Sequence, residues 1–259
     1  FLSRLPSTRP HPNNWRPQLL LFLKEDGLAE LAKELAVVRQ LKAGKGLLMV
    51  LGLLEGQLET ERPRAEAMEE RIRDELKRAD VPGFPRAIIY RKGRLGSTVS
   101  TLLQSAGLSQ LRPNTIFSVW PQEWRHKHSQ FWAFLDRLHR SSRQNLSLLI
   151  VKDLEKWPLT EGQTGEIHIW WILSDGGLLI LLAHLLRKSP VWSKATLRIF
   201  LAVEEEEPET VKKDLDKFLY KLRVTASVEV IRLGTGELGT VGEEWGRQLV
   251  LSGKRDPQA

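Results

Sequence analysis

Short continuous apolar runs alternate along this chain with longer stretches whose apolar positions recur at helical spacing. Residues 18–23 (QLLLFL), 46–54, 86–90, 115–119 and 146–151 have the character of strands, and the unbroken runs suit strands buried on both faces. Between the first pair, Leu28, Leu31, Ala32, Leu35, Val38 and Leu41 mark one face of a helix. Pro63 is placed to start the next, with Ala65, Met68, Ile72, Leu76 and Ala79 as its apolar stripe. Leu95, Val99, Leu102, Leu103 and Ala106 predict a third helix, closed by Gly107. Phe131, Phe134, Leu135 and Leu138 predict a fourth. Residues 152–165 are charged, with Pro158 and two glycines, and form a connector.

The densest apolar stretch follows: residues 166–187, EIHIWWILSDGGLLILLAHLLR. Ile167, Ile169 and Ile172 with Trp170 and Trp171 have the composition of a buried strand. Asp175-Gly176-Gly177 breaks that run, and Asp175 is placed to cap a helix over residues 178–186. This helix is apolar on nearly every side, so it is expected to be covered on every side. It is far shorter than the ~20 residues of a membrane span. Residues 197–203 predict the next strand. The acidic run 204–207 and Pro208 then complement the start of a helix buried through Val211, Leu215, Phe218, Leu219 and Leu222. Residues 226–231 predict the last strand.

Strict alternation of strand and helix predicts an α/β fold, with two mainly parallel-sheet lobes joined internally by right-handed crossovers. The expected division is 1–14 linker, 15–151 first lobe, 152–165 connector, 166–233 second lobe and 234–259 flexible tail. Phe1 in place of an initiator Met suggests a piece of something longer.

Composition narrows the chemistry. The chain of 259 residues has no cysteine, which excludes thiolate catalysis, disulfides and cysteine-bound metal. The net charge is +7. A basic balance draws a protein toward nucleic acid or an anionic membrane surface, but here the cations are spread over most helices, as on a solvated surface.

Motifs add little sign of catalysis. Gly234-Thr235-Gly236-Glu237-Leu238-Gly239 fits G-x-G-x-x-G, yet the second strand that a dinucleotide fold needs does not follow. Gly44-Lys45-Gly46 lies between a helix and a strand, the reverse of a phosphate loop, and reads as a tight turn. His126 and His128 sit between Arg125 and Lys127 with no third ligand at useful spacing, so no metal site is expected and an exposed basic helix start is. His168 and His184 are expected to be hydrogen-bonded core residues. No catalytic residues are assigned. A small ligand of a parallel sheet sits beyond the strands' carboxyl ends. There Arg91, Arg94 and Arg125 are candidates to meet the phosphates of a nucleotide, and Trp120 or Trp124 to stack on its base. Solvent-facing loop arginines are the competing reading, and the favoured one.

Several strings together resemble one family. They are Asn14-Trp15-Arg16-Pro17-Gln18, Gln40-Leu41-Lys42-Ala43-Gly44-Lys45-Gly46-Leu47, Gln104-Ser105-Ala106-Gly107-Leu108 and Arg112-Pro113-Asn114-Thr115. Trp170-Trp171-Ile172 with Asp175-Gly176-Gly177, and Lys212-Lys213-Asp214-Leu215 with Phe218-Leu219-Tyr220, complete the set. In this order they resemble the cytosolic C-terminal domain of cation–chloride cotransporters, with the lysine turn and the Phe-Leu-Tyr helix closest to the potassium–chloride branch. The resemblance implies a parent symporter moving chloride with potassium and/or sodium, and a chain lying on the cytoplasmic face of its membrane. It implies a non-enzymatic, regulatory and homodimerising role, with the transmembrane part of the same polypeptide as partner. An anionic lipid surface is a further expected partner, and nucleic acid is not one. In the family the first lobe is similar to universal stress proteins, some of which bind ATP through glycines and a Ser or Thr after the fourth strand. Here that place reads Trp120-Pro121-Gln122-Glu123-Trp124-Arg125, which speaks against that mode. No cofactor is expected, with ATP or ADP in a different mode left open by the potassium–chloride branch.

Overall fold

The computed structural model describes residues 16–42, 44–107, 111–171, 177–203 and 208–232. These fall into two compact units, residues 16–157 and 158–232. The first unit runs β1 (Leu19–Lys24), α1 (Leu31–Lys42), β2 (Leu48–Glu55), α2 (Leu58–Arg78), β3 (Phe84–Tyr90), α3 (Leu95–Ser105), β4 (Thr115–Val119), α4 (His128–Ser142) and β5 (Ser147–Val151). The second runs β6 (Glu166–Trp171), α5 (Gly177–Leu186), β7 (Thr196–Val203), α6 (Pro208–Leu222) and β8 (Ser227–Arg232). Every strand pair is parallel, as the alternation of elements requires.

The first sheet has the order β3-β2-β1-β4-β5. β1 is central because it can be buried on both faces: Leu19, Leu20 and Leu21 are all inaccessible to water. On one face Leu20, Leu51, Leu53 and Ile116 pack with Val99 and Leu103 of α3. On the other, Gly52 leaves room for Met68 and Ile72 of α2; a Cβ there would come within 2.8 Å of the Met68 sulfur. Right-handed crossovers give the same division, with α1 and α2 on one face and α3 and α4 on the other. The strand order reverses between β1 and β4. Two of the strings noted above meet there: Asn114 accepts from the Gln18 amide at 2.9 Å and donates to the Arg16 carbonyl at 3.2 Å. One side chain therefore clamps the entry to β1 against the entry to β4.

Three details of the helical segments depart from the sequence reading. α2 begins at Leu58, not at Pro63. Its early turns face water, so the amide that Pro63 lacks costs little there. A separate 3-10 turn, Glu25–Ala29, holds Leu28 before α1 opens at Leu31. The third concerns α5. Ile180, Leu182, Ala183, Leu185 and Leu186 are buried, but Leu179 is 39% exposed, so the helix is not covered on every side.

In the connector, Leu154 and Trp157 are buried in the first unit. The Trp157 indole Nε1 donates to Gln40 Oε1 of α1 at 2.9 Å. The division between the units falls directly after this residue.

The second sheet has the order β6-β7-β8. Both crossovers step the same way, so α5 and α6 cover one face. Ile167, Ile169, Leu197, Ile199, Leu201 and Val203 alternate into the core. On the opposite face Trp170 stacks on its register partner Phe200 at 4.3 Å. His168, expected in the core, is half-buried on that face, 2.8 Å from Glu166. The Asp175 cap, the acidic run 204–207 and the glycines from Gly234 onward lie outside the described residues.

Candidate functional site

In a doubly wound sheet the ligand crevice opens at the carboxyl ends of the strands flanking the reversal, here β1 and β4. β1 ends in Lys24, followed by Glu25 and Asp26 in the 3-10 turn. Glu25 forms a two-bond pair with Arg64 of α2, one arm at 3.0 Å. Arg64 also donates to Glu61 at 3.0 Å. The Arg64 hydrogen bond holds the Glu25 carboxyl below its ordinary range. β2 ends in the exposed Glu55. Burial raises the neighbouring Tyr90 phenol, and the Glu55 charge adds to that. The middle of this edge is therefore acidic.

Cations and aromatic rings stand to either side. β3 leads into Arg91, Lys92, Gly93 and Arg94, all exposed, in a turn closed by the Arg94 amide on the Arg91 carbonyl at 2.9 Å. Gly93 adopts φ +74° to make that turn. β4 leads into an aromatic cluster. Trp120 meets Trp124 edge-on at 6.3 Å and the fully buried Phe134 at 5.5 Å. Trp124 lies 5.5 Å from Phe131. The Arg125 guanidinium rests over the Trp124 ring at 4.9 Å, a cation–π contact. Lys127 pairs with Glu123 and holds that carboxyl below its ordinary range.

The structure thus brings Trp120, Trp124 and Arg125 together and keeps Arg91 and Arg94 apart from them. β3 is an outer strand, three strand spacings or roughly 14 Å from β4. The Trp120 ring is occupied by its aromatic neighbours. A nucleotide bridging the two groups would lay its phosphates across Glu25, Asp26 and Glu55. Sequence reasoning missed the Glu25–Arg64–Glu61 cluster, because the partner of Glu25 arrives on a different helix.

His126 and His128 are exposed at the start of α4. Among the described residues no three of His, Asp and Glu gather as metal ligands. Among those residues, too, no helix is long and apolar enough to cross a membrane.

Residues 159–234 match the family model of solute carrier family 12. The second unit is similar to solute carrier family 12. The match begins one residue inside that unit and runs past β8.

Two solved structures share the fold. One is the cytoplasmic domain of a prokaryotic cation chloride cotransporter, at 17% identity and TM-score 0.54, covering 85% of this chain and 80% of that one. The other is a universal stress protein from Archaeoglobus fulgidus, at 10% identity and TM-score 0.50, covering 88% of this chain and 81% of that one.

Proposed function

We propose that this chain is the cytoplasmic regulatory and dimerisation domain of a cation–chloride symporter, with no reaction centre of its own. The observation that carries the reading is the solute carrier family 12 match over residues 159–234. The fold shared with the cytoplasmic domain of a prokaryotic cation chloride cotransporter supports it. The lysine turn at Gly44-Lys45-Gly46 and Phe218-Leu219-Tyr220 favour the potassium–chloride branch. Its partners are a second copy of the chain, the transmembrane part of the same polypeptide and an anionic lipid surface.

Nucleotide has no part in this reading. The acidic edge at Glu25, Asp26 and Glu55 repels phosphate, and Trp120 is held by Phe134. Light scattering across a wide concentration range tests the dimer, and a strict monomer at the highest concentration counts against it. Weak association is still useful in the intact carrier, because attachment to a paired membrane part raises the effective concentration. Titration calorimetry with ATP and ADP is expected to give no heat. Saturable heat that disappears in R91A/R94A would replace this reading with a nucleotide sensor.

A further inference from the structure

We propose that the starts of α3 and α4, at one end of the first sheet, form a docking surface for an anionic phospholipid membrane. The proposal deepens the reading above and rests on it, since it assumes a chain held beside a bilayer. Its first support is an apolar side chain in an unusual place. Trp132 is 67% exposed, in the second turn of α4, and Trp124 in the preceding loop is 36% exposed. Indole is a costly group to leave in water, yet it suits the boundary between headgroups and acyl chains.

The helix geometry shows which way Trp132 stands. Trp132, Asp136 and Arg140 are spaced by four and share one stripe of α4. Arg140 donates to Asp136 at 2.7 Å and to Ser100 of α3 at 2.8 Å. Its guanidinium also lies so close to Gly96 that a Cβ there would meet it at 2.6 Å. The lower part of this stripe therefore abuts the first turns of α3. Trp132, eight residues earlier, stands roughly 12 Å further along, beyond the start of α3 and on its side. The β3–α3 turn carrying Arg91 and Arg94 emerges at that same end.

Charge is the second support. Arg125 and Lys127 are exposed beside the two indoles, with Lys127 paired to Glu123. Arg91 and Arg94 are exposed in the β3–α3 turn at the same end, with Glu25, Asp26 and Glu55 between the two groups. Each cation near an anionic leaflet contributes attraction that falls off within a Debye length. Projecting rings flanked by cations match the two layers of a membrane surface: rings enter the boundary, and guanidinium and ammonium groups meet phosphate and carboxylate headgroups. Four of the five residues first considered for a nucleotide, Arg91, Arg94, Trp124 and Arg125, thus belong to a surface that meets phosphate on lipid.

The test is co-sedimentation of the whole chain with vesicles of phosphatidylcholine alone or with about 30% phosphatidylserine, at low and high salt. Retention is expected on the anionic vesicles at low salt and is lost at high salt. R125E/K127E should lower it about tenfold or more, and W132A about fivefold. K212E/K213E on α6 makes the same charge change elsewhere and should retain binding. R125Q/K127Q serves where charge reversal beside Glu123 disturbs folding, as judged by a thermal melt. Brominated acyl chains should quench the wild-type tryptophan emission. Equal retention on both vesicle types overturns the proposal. So does wild-type binding by W132A or by the Arg125/Lys127 variants, or an equal loss in K212E/K213E. A chain that is monomeric yet binds vesicles defeats only the dimer reading, and a dimer indifferent to lipid defeats only this one.

Discussion

Glu34 shows how much one residue's setting depends on distant parts of the chain. It lies on α1 beside the apolar stripe, and burial draws its carboxyl up to about 8, with Glu30 adding to the shift and Arg137 opposing it. The unfolded chain gives up this proton near the ordinary value of 4.5, whereas the folded one keeps it to about 8. The fold thus binds the extra proton across that window, so this group's contribution falls as pH rises through it and then levels off. E34Q is expected to melt like the wild type at about pH 5 and about 3 °C or more higher at about pH 9. A melt with the same pH slope in both proteins would contradict this. Gly46 is a simpler case, because its place in the order helix, turn, strand already marks it as a turn residue. It adopts φ +87°, and a Cβ there would sit 2.8 Å from the Pro17 carbonyl oxygen. Both effects oppose a side chain, so G46A should lose about 2 kcal/mol or more in denaturant unfolding.

At the scale of elements, the strands were legible and the ends of helices less so. β4 falls on residues 115–119 as predicted, and the other strands differ by a residue or two, because an unbroken apolar run has few places to go but a sheet interior. Pro63 misled about α2. Its preference for a first turn is real, but a proline in a water-facing early turn is tolerated, and the helix starts where Gln57 turns extended. The connector hides its most informative residue in the same way. Trp157 looks like part of a charged linker, yet it closes the first unit by reaching Gln40, which is 117 positions away. W157A is expected to cost about 3–5 kcal/mol. W157F, which keeps one aromatic ring but loses the donor and part of the indole volume, should cost less, about 1–3 kcal/mol. Equal losses would mean that the ring packing contributes nothing beyond the hydrogen bond.

Taken whole, the molecule has two sheets, each with its own buried set, and chains with separate cores depart from two-state unfolding. The calorimetric enthalpy is therefore expected to exceed the van't Hoff value. F134A should lower the transition of the first unit and L215A that of the second; one transition moved equally by both variants would argue for a single cooperative body. By itself the sequence determined the α/β class, the parallel strands and the absence of cysteine chemistry. These follow from the period of apolar positions and from composition, which are local properties. Only the tertiary structure decided what the loops beyond the strands amount to. Arg91, Arg94, Trp120 and Arg125 looked like one set because all four follow strand ends. The order β3-β2-β1-β4-β5 separates the first two from the others and puts the carboxylates of Glu25 and Glu55 between them. Likewise, a period of four aligns Trp132 with Arg140, but only the packing of α4 on α3 leaves that tryptophan in water. Which side chains meet across elements depends on strand order and helix docking, and neither is a property of any single stretch of the chain.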